Sequence, residues 1–232
     1  MKTLNDIKWQ LKLAEYRKNA QVVIEMLPNI GSRAKLLDIG CADGVGSRAY
    51  AKQAGIDAEN VYGIEIDPAY IASAVENLKV FTADIECDEL PFPEESFDVV
   101  VANQIFEHIK NLRHLMAQID KVTKTGGHVL ISAPNLAALH NRIGLLLGRQ
   151  PRCMKIQSPH VRGFSAIALR QFVTSNQRFK LVAAKGSGFY PFPAGVSSLL
   201  SRLAPGCCVY TSVLLQKTAT GGWDYWNQLP DL

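Results

Sequence analysis

Three carboxylates stand at the ends of three successive apolar runs. Asp38 sits in Ala34–Ile39, Glu65 closes Asn60–Ile64, and Asp84 follows Leu78–Ala83. The first run drives into Gly40-Cys41-Ala42-Asp43-Gly44, a turn with little side chain besides one acid. Backbone N–H groups of such a turn can press against a ligand. A carboxylate ending a second parallel strand, some 20 residues beyond that turn, can accept from both hydroxyls of a ribose diol. Asp84, one strand further out, is placed to accept from the exocyclic amine of a purine. Backbone donors, a diol acceptor and an amine acceptor together make a nucleotide-type cofactor site.

A dinucleotide site is the first alternative. Gly44-Val45-Gly46-Ser47-Arg48-Ala49 matches the G-x-G-x-x-A pattern, and Glu65 lies 21 residues after Gly44. That fingerprint needs its first glycine at the strand's end. Here Gly44 comes later, after Asp38, Gly40 and Asp43, so the match falls in the turn and the start of a helix.

The ordered motifs resemble those of class I S-adenosylmethionine-dependent methyltransferases, of the small-molecule, methyltransferase type 11-like kind. They are Asp38 to Gly44, Tyr62 to Pro68, Ala83-Asp84-Ile85, Ser96 to Ile109 with Asn103, Glu107 and His108, and Gly126 to Asn135. The resemblance covers Arg33 to Asn135 well and the rest loosely. Ala42 departs from the glycine often found there. The resemblance implies S-adenosylmethionine as cofactor, with S-adenosylhomocysteine as product. It also implies cofactor contacts from Asp38, Gly40, Cys41, Ala42, Gly44, Glu65, Ile66, Asp84, Ile85, Asn103 and Gln104. Arg17, beside Tyr16 on the N-terminal helix, is placed to pair with the cofactor's carboxylate.

These residues need a doubly wound α/β sheet to position them. The hydrophobic pattern predicts a helix over Leu4–Leu27, with Ile7, Leu11, Ala14, Val22 and Met26 on its apolar stripe. Strands are expected at Lys35–Ile39, Val61–Glu65, Lys79–Thr82, Phe97–Ala102, His128–Ser132, Phe179–Ala184 and Val209–Gln216. Helices are expected at Ser47–Ala54, Pro68–Asn77, Asn111–Val122 and Ser165–Thr174, with Gly126-Gly127 turning into strand five. Seven strands, the last antiparallel, match the Rossmann-like methyltransferase sheet implied by the resemblance. Cys207 and Cys208 are expected in the last strand, facing opposite ways.

The chain reads as one domain over residues 1–232. Residues 1–30 form a helical cap, 135–164 a lid-like insertion after strand five, and 217–232 an aromatic tail. The insertion is too long for a simple turn, and Leu136–Leu147 looks helical. The tail, with Trp223, Tyr225 and Trp226, suits either a partner or the chain's own surface.

Composition is that of a globular chain, 47% hydrophobic and 20% charged. No apolar run is long enough for a bilayer, because Val196–Gln216 is broken by Arg202 and Pro205. The N-terminus carries no apolar signal core, so a cytoplasmic protein is expected. Five cysteines with no Cys-x-x-Cys pair argue for reduced thiols, and no metal site is expected. Residues 1–120 carry 19 acids against 12 bases, whereas 121–223 carry 13 bases and no acid. In a doubly wound sheet the substrate meets the cofactor over the later strands and loops. A positive field there favours an anionic acceptor: a metabolite, lipid head group or sugar-containing intermediate.

Methyl transfer from a sulfonium needs mostly positioning, and a base only for a hydroxyl or protonated amine. His108 and His160 are the candidate bases. Ser158 to Ser165 resembles a His-x-Arg-x-Phe-Ser signature of many small-molecule and glycan methyltransferases. His160, Arg162 and Tyr190 are therefore the candidate acceptor contacts. Two other classes stand beside this one. An RNA-directed methyltransferase is allowed by the basic half, though its bases are scattered and no RNA-binding module is recognisable. A non-catalytic cofactor-binding partner protein is the other. Oligomeric state does not follow from the sequence.

Overall fold

The structure is a computed structural model that describes residues 4–223 and Trp226. Seven strands form one sheet in the order β3-β2-β1-β4-β5-β7-β6. They are β1 (Leu36–Ile39), β2 (Val61–Ile64), β3 (Lys79–Phe81), β4 (Phe97–Asn103), β5 (Thr123–Pro134), β6 (Phe179–Ser187) and β7 (Tyr210–Lys217). Strands β1 to β5 pair in parallel, and β7 runs antiparallel to both of its neighbours. This is the doubly wound, Rossmann-like sheet expected from the sequence.

Among the described residues, seven α-helices flank it: α1 (Leu4–Met26), α2 (Val45–Ala54), α3 (Pro68–Ala74), α4 (Leu112–Val122), α5 (Leu139–Leu146), α6 (Ala166–Thr174) and α7 (Ala194–Leu203). Side chains alternate across a strand, and the core divides accordingly. Leu36, Val61, Val99 and Val101 pack under Val23 and Met26 of α1 and Tyr50, Ala51 and Ala54 of α2. Leu37, Ile39, Val100 and Ala102 face the other way, against Leu115, Met116 and Ile119 of α4 and Leu169 and Val173 of α6. Both faces of the central strands are therefore dry, which is why they read as unbroken apolar runs.

Local chemistry sets the helix starts. Asp67 accepts from the Ala69 N–H at 2.9 Å, with Pro68 as the first helical residue. Asn111 caps α4 through the His114 N–H at 3.2 Å, so the helix begins one residue later than expected. Ser165 caps α6 as expected.

Three expectations change. Gly126-Gly127 does not turn into strand five. The strand runs from Thr123 through both glycines, and its pairing with β4 jumps from Phe97↔Thr123 to Val99↔His128. With Gly126 at φ 84°, the pair absorbs an irregularity inside the strand. Cys207 and Cys208 lie before β7, not in it. Pro205-Gly206-Cys207 make a 3₁₀ turn, closed by the Cys207 N–H on the Ala204 carbonyl at 2.9 Å. Finally, α7 has no counterpart in the sequence reading. Its charge-poor run looked like the best membrane candidate, yet Leu199 and Leu203 lie exposed on a ten-residue helix. Among the described residues, no helix is long and apolar enough to cross a membrane.

The tail closes on the chain itself. Trp226 is fully buried, its ring 5.7 Å from Phe172 and 6.3 Å from Phe179. Its indole N–H donates to Asp120 Oδ2 at 3.1 Å. Asp120 is held by the Arg178 guanidinium and lies 3.3 Å from Lys217 Nζ. Tyr225, the other tail residues beyond Trp226, and the expected stripe side chains of Ile7, Leu11 and Ala14 lie outside the described residues. Trp226→Ala is expected to cost about 3–5 kcal/mol. Urea unfolding checks this, and a loss below about 1 kcal/mol would show that the ring is not an anchor.

Candidate functional site

The turn after β1 is drawn tight over the sheet edge. The N–H groups of Gly40 and Cys41 both reach the Ile64 carbonyl, at 2.8 and 3.1 Å. Gly40 has φ 71°, and a Cβ there would collide with Ile105, so only glycine fits the turn beneath that residue. Ala42 also adopts a left-handed conformation, φ 47°, which accounts for the glycine that the motif often carries there. Its N–H donates to Glu65 Oε2 at 2.9 Å. Glu65 Oε1 accepts from the Ile66 and Asp67 N–H groups at 2.8 and 2.9 Å. Three backbone donors thus hold one carboxylate at the end of β2, with about one lone-pair direction left over.

A cavity of about 600 Å³ opens in front of these groups. Of the sequence-predicted cofactor residues, Gly40, Ala42, Glu65 and Ile66 line it on one side. Asp84, Ile85, Asn103 and Gln104 line it on the other. Asp38, Cys41, Gly44 and Arg17 do not line it. Cys41 is buried against Gly63, Gly44 caps α2 with φ 78°, and Arg17 is exposed on α1. Tyr16, one residue before Arg17, lines the cavity instead. Asp38 is buried behind the turn, where its Oδ2 accepts from Ser47 Oγ at 2.6 Å.

A second cavity, of about 750 Å³, adjoins the first. Tyr16, Gln104 and His108 line both. His108 and His160 meet here, with ring centroids 4.8 Å apart. Burial, then the neighbouring His160, lower the His108 pKa, while a hydrogen bond to the Pro159 carbonyl opposes them. Glu107, not singled out by the sequence, lines the same cavity; burial pushes its carboxyl up to about 8. Arg152, Lys155 and His140 line it too. Burial, then Arg152, hold His140 down to about 4.

Two expected acceptor contacts lie elsewhere. The Arg162 guanidinium turns onto the Lys110 carbonyl and does not line the cavity. The main chain is pinned just before it, where the Val161 N–H donates to the Glu107 carbonyl at 2.8 Å. Tyr190 stands behind the wall, its ring 4.6 Å from the Arg152 guanidinium and 5.3 Å from His140. Of these two expected contacts, the wall thus carries neither; its cations are Lys155 and Arg152, the latter against an aromatic face. No local pattern distinguishes it from Arg162 in the sequence.

A methyltransferase-domain family model matches residues 11–182. The chain belongs to the class I S-adenosylmethionine-dependent methyltransferases. It is 30% identical over 118 residues to a probable S-adenosylmethionine-dependent methyltransferase of Mycolicibacterium smegmatis, covering 50% of this chain and 44% of that one. It is 32% identical over 103 residues to phosphoethanolamine N-methyltransferase 2 of Caenorhabditis elegans, covering 42% and 23%. The match spans less than half the length of these curated relatives. In fold it is similar to an S-adenosylmethionine-dependent methyltransferase from Mesorhizobium loti, with a TM-score of 0.60 and 15% identity over 85% of this chain and 96% of that one. S-adenosylmethionine is the cofactor of this methyltransferase, and the 600 Å³ cavity fits it. Its turn has no side chain at Gly40, and the carboxylates that follow β2 and β3, Glu65 and Asp84, keep acceptor directions beyond those their backbone donors use.

The buried Asp38 makes a further claim measurable. Burial, aided by the charge of Glu65 and opposed by Ser47, pushes its carboxyl up to about 7. A raised carboxyl binds its proton more tightly in the folded chain than in the unfolded one. Its contribution to stability is fully present below the ordinary carboxylate range and is lost as pH rises through about 7. Asp38→Asn keeps an acceptor for Ser47 and removes the charge. Its stability gain over the unaltered chain, read by urea unfolding, should be larger at pH 8 than at pH 5; equal gains would refute the shift.

Proposed function

We propose that this methyltransferase acts on a small, anionic acceptor held in the 750 Å³ cavity. The observation that carries this reading is the junction of two cavities at Tyr16, Gln104 and His108, the second bearing Arg152 and Lys155. When bound, S-adenosylmethionine supplies an electrophilic methyl group. Glu65 would accept from a ribose hydroxyl through its remaining direction, Asp84 and Ile85 would border the adenine, and Asn103 and Gln104 would face the part of the cofactor nearest the second cavity. Most of the rate then comes from positioning. His108, whose pKa burial lowers, faces the acceptor cavity with His160 beside it.

Arg152 recognises the acceptor's charge. Its guanidinium lies against the Tyr190 ring and presents a planar fork that suits a carboxylate or phosphate. The segment from Asn135 to Phe164 that carries it serves as the wall or lid of the acceptor cavity. A relative named for phosphoethanolamine methylation supports a small phosphorylated acceptor. A cavity of about 750 Å³ is of the size that a small molecule fills. The cofactor-binding but non-catalytic alternative leaves the second cavity without a role.

Calorimetric titration with S-adenosylhomocysteine tests the cofactor half, with NAD as the control. Saturable binding of the first and none of the second is expected. Glu65→Ala should weaken that binding by about 1–3 kcal/mol, the cost of unpaired diol hydroxyls. An unchanged dissociation constant would remove Glu65 from the site. For the acceptor half, a screen of phosphorylated and carboxylated amines and alcohols comes first. With the best of these, Arg152→Ala should raise KM roughly tenfold or more, the scale of a lost charge-assisted pair. S-adenosylhomocysteine affinity should not move. Loss of kcat with KM intact would instead make Arg152 a structural residue.

A further inference from the structure

We propose that Glu107, His108 and His160 form a binding site for a divalent transition-metal cation in the wall of the acceptor cavity. One carboxylate oxygen and one ring nitrogen from each histidine lie within 4.8 Å of one another. Two histidines and a carboxylate are a donor set for borderline ions such as Zn²⁺, Mn²⁺ or Fe²⁺, and three protein ligands leave positions open. Ligands of a tetrahedral ion at about 2.1 Å stand roughly 3.4 Å apart. The three side chains must therefore close in by rotation, by about an ångström or somewhat more, when the ion binds.

The outer contact of His160 is that of a metal ligand. His160 Nδ1 lies 2.7 Å from the Cys153 carbonyl. A carbonyl only accepts, so Nδ1 carries the proton and Nε2 keeps its lone pair. The His108 ring lies beside the Pro159 carbonyl, an acceptor only. In His160, one nitrogen is fixed as a donor to main chain and the other is left as a base. A ligating histidine is oriented in this way.

Glu107 supplies an independent observation. The residue is 2% exposed and lines the cavity, yet its Oε2 is buried with no hydrogen-bond partner. A buried carboxylate oxygen left unpaired is costly in either protonation state: ionised it lacks a donor, and protonated it lacks an acceptor. A cation held between the Glu107 carboxylate and the two rings would give that oxygen a partner. The ligands cannot drift apart, because the Val161 N–H on the Glu107 carbonyl staples the two chain segments together. The 51 residues between His108 and His160 explain why no metal-ligand spacing appears in the sequence. That the open positions receive an acceptor's oxygen or nitrogen rests on the function proposed above; binding of the ion does not.

The test uses the full chain, stripped with a chelator and titrated with MnCl₂ under electron paramagnetic resonance. ZnCl₂ serves as competitor, and S-adenosylhomocysteine is titrated in parallel. One Mn²⁺ per chain, displaced by Zn²⁺, is expected. Glu107→Gln and His160→Gln should each weaken Mn²⁺ at least about tenfold. His128→Gln, on β5 and outside both cavities, should leave it unchanged. Because Glu107 is buried, His160→Gln is the deciding variant if Glu107→Gln unfolds. No saturable Mn²⁺ site in the unaltered chain, or undiminished binding by His160→Gln, overturns the proposal. S-adenosylhomocysteine binding without Mn²⁺ binding defeats the metal site alone. Mn²⁺ binding without S-adenosylhomocysteine binding defeats the proposed function and leaves the metal site standing.

Discussion

Asn19, buried on α1, joins the helix to the ends of three strands. Its Oδ1 accepts from Ser187 Oγ at 2.9 Å and from Ser132 Oγ at 3.3 Å, and its Nδ2 lies 3.4 Å from Asn103 Oδ1. The contacts continue outward. Asn103 Nδ2 donates to the Tyr50 hydroxyl at 2.9 Å, Gln104 Nε2 to Ser132 Oγ at 3.1 Å, and Ser212 Oγ to Ser132 Oγ at 3.0 Å. Polar groups this deep are stabilising only when they are all paired. The network therefore admits one seating of α1 on the sheet. That seating brings Tyr16, less than a turn before Asn19, to the place where the two cavities meet. A purely apolar contact would have allowed the helix to slide.

The sheet was legible because its central strands are buried on both faces and so appear as short apolar runs between turns. The acids at their ends followed from the same pattern, and Glu65 and Asp84 line a cavity because strand direction alone puts them there. Asp38 failed as a contact for a related reason. It lies inside β1, not after it, and its side chain points under the turn to Ser47. The acceptor side was much less legible. Arg152 and Arg162 are equivalent in type and lie in one loop; a single main-chain hydrogen bond at Val161 decides which one turns away. Glu107 looked like the companion of His108, and nothing in the sequence says that its oxygen is buried without a partner. Trp226 was legible as an aromatic tail. Its landing site depends on Asp120, Arg178 and Lys217, which come from three separate elements.

The charge asymmetry has a more specific meaning than a uniformly positive half. Several of the bases after residue 120 are engaged by acids from before it. Lys124 reaches Asp98 at 2.8 Å, Lys121 reaches Glu89 at 2.7 Å, and Arg178 and Lys217 share Asp120. Asp120 and Lys217 are buried, so removing either partner would strand a charge, and these pairs tie the two halves of the chain together. Lys121 to Glu89 is a surface pair of small energetic weight. Among the described residues, Arg152 and Lys155 line the 750 Å³ cavity without an acid partner of this kind, and Glu15 lies on the same wall. Under the proposed function, selectivity for an anion would rest on geometry at Arg152 more than on net charge.

Gln104 is where the two cavities become one device. Its φ of 60° is unusual for a residue with a side chain, and it is held there from two directions. Its backbone N–H donates to the Ser132 carbonyl at 2.8 Å while its side chain donates to the Ser132 hydroxyl. The peptide after β4 is thereby fixed to β5, and His108 follows one short 3₁₀ turn later. The two cavities that share this wall cannot change their relative position without breaking bonds to Ser132. Group transfer depends on reactants held at near-attack distance, and small displacements are costly to rate. The strain at Gln104 sits at the junction of the two cavities, and the neighbouring buried network over-determines it.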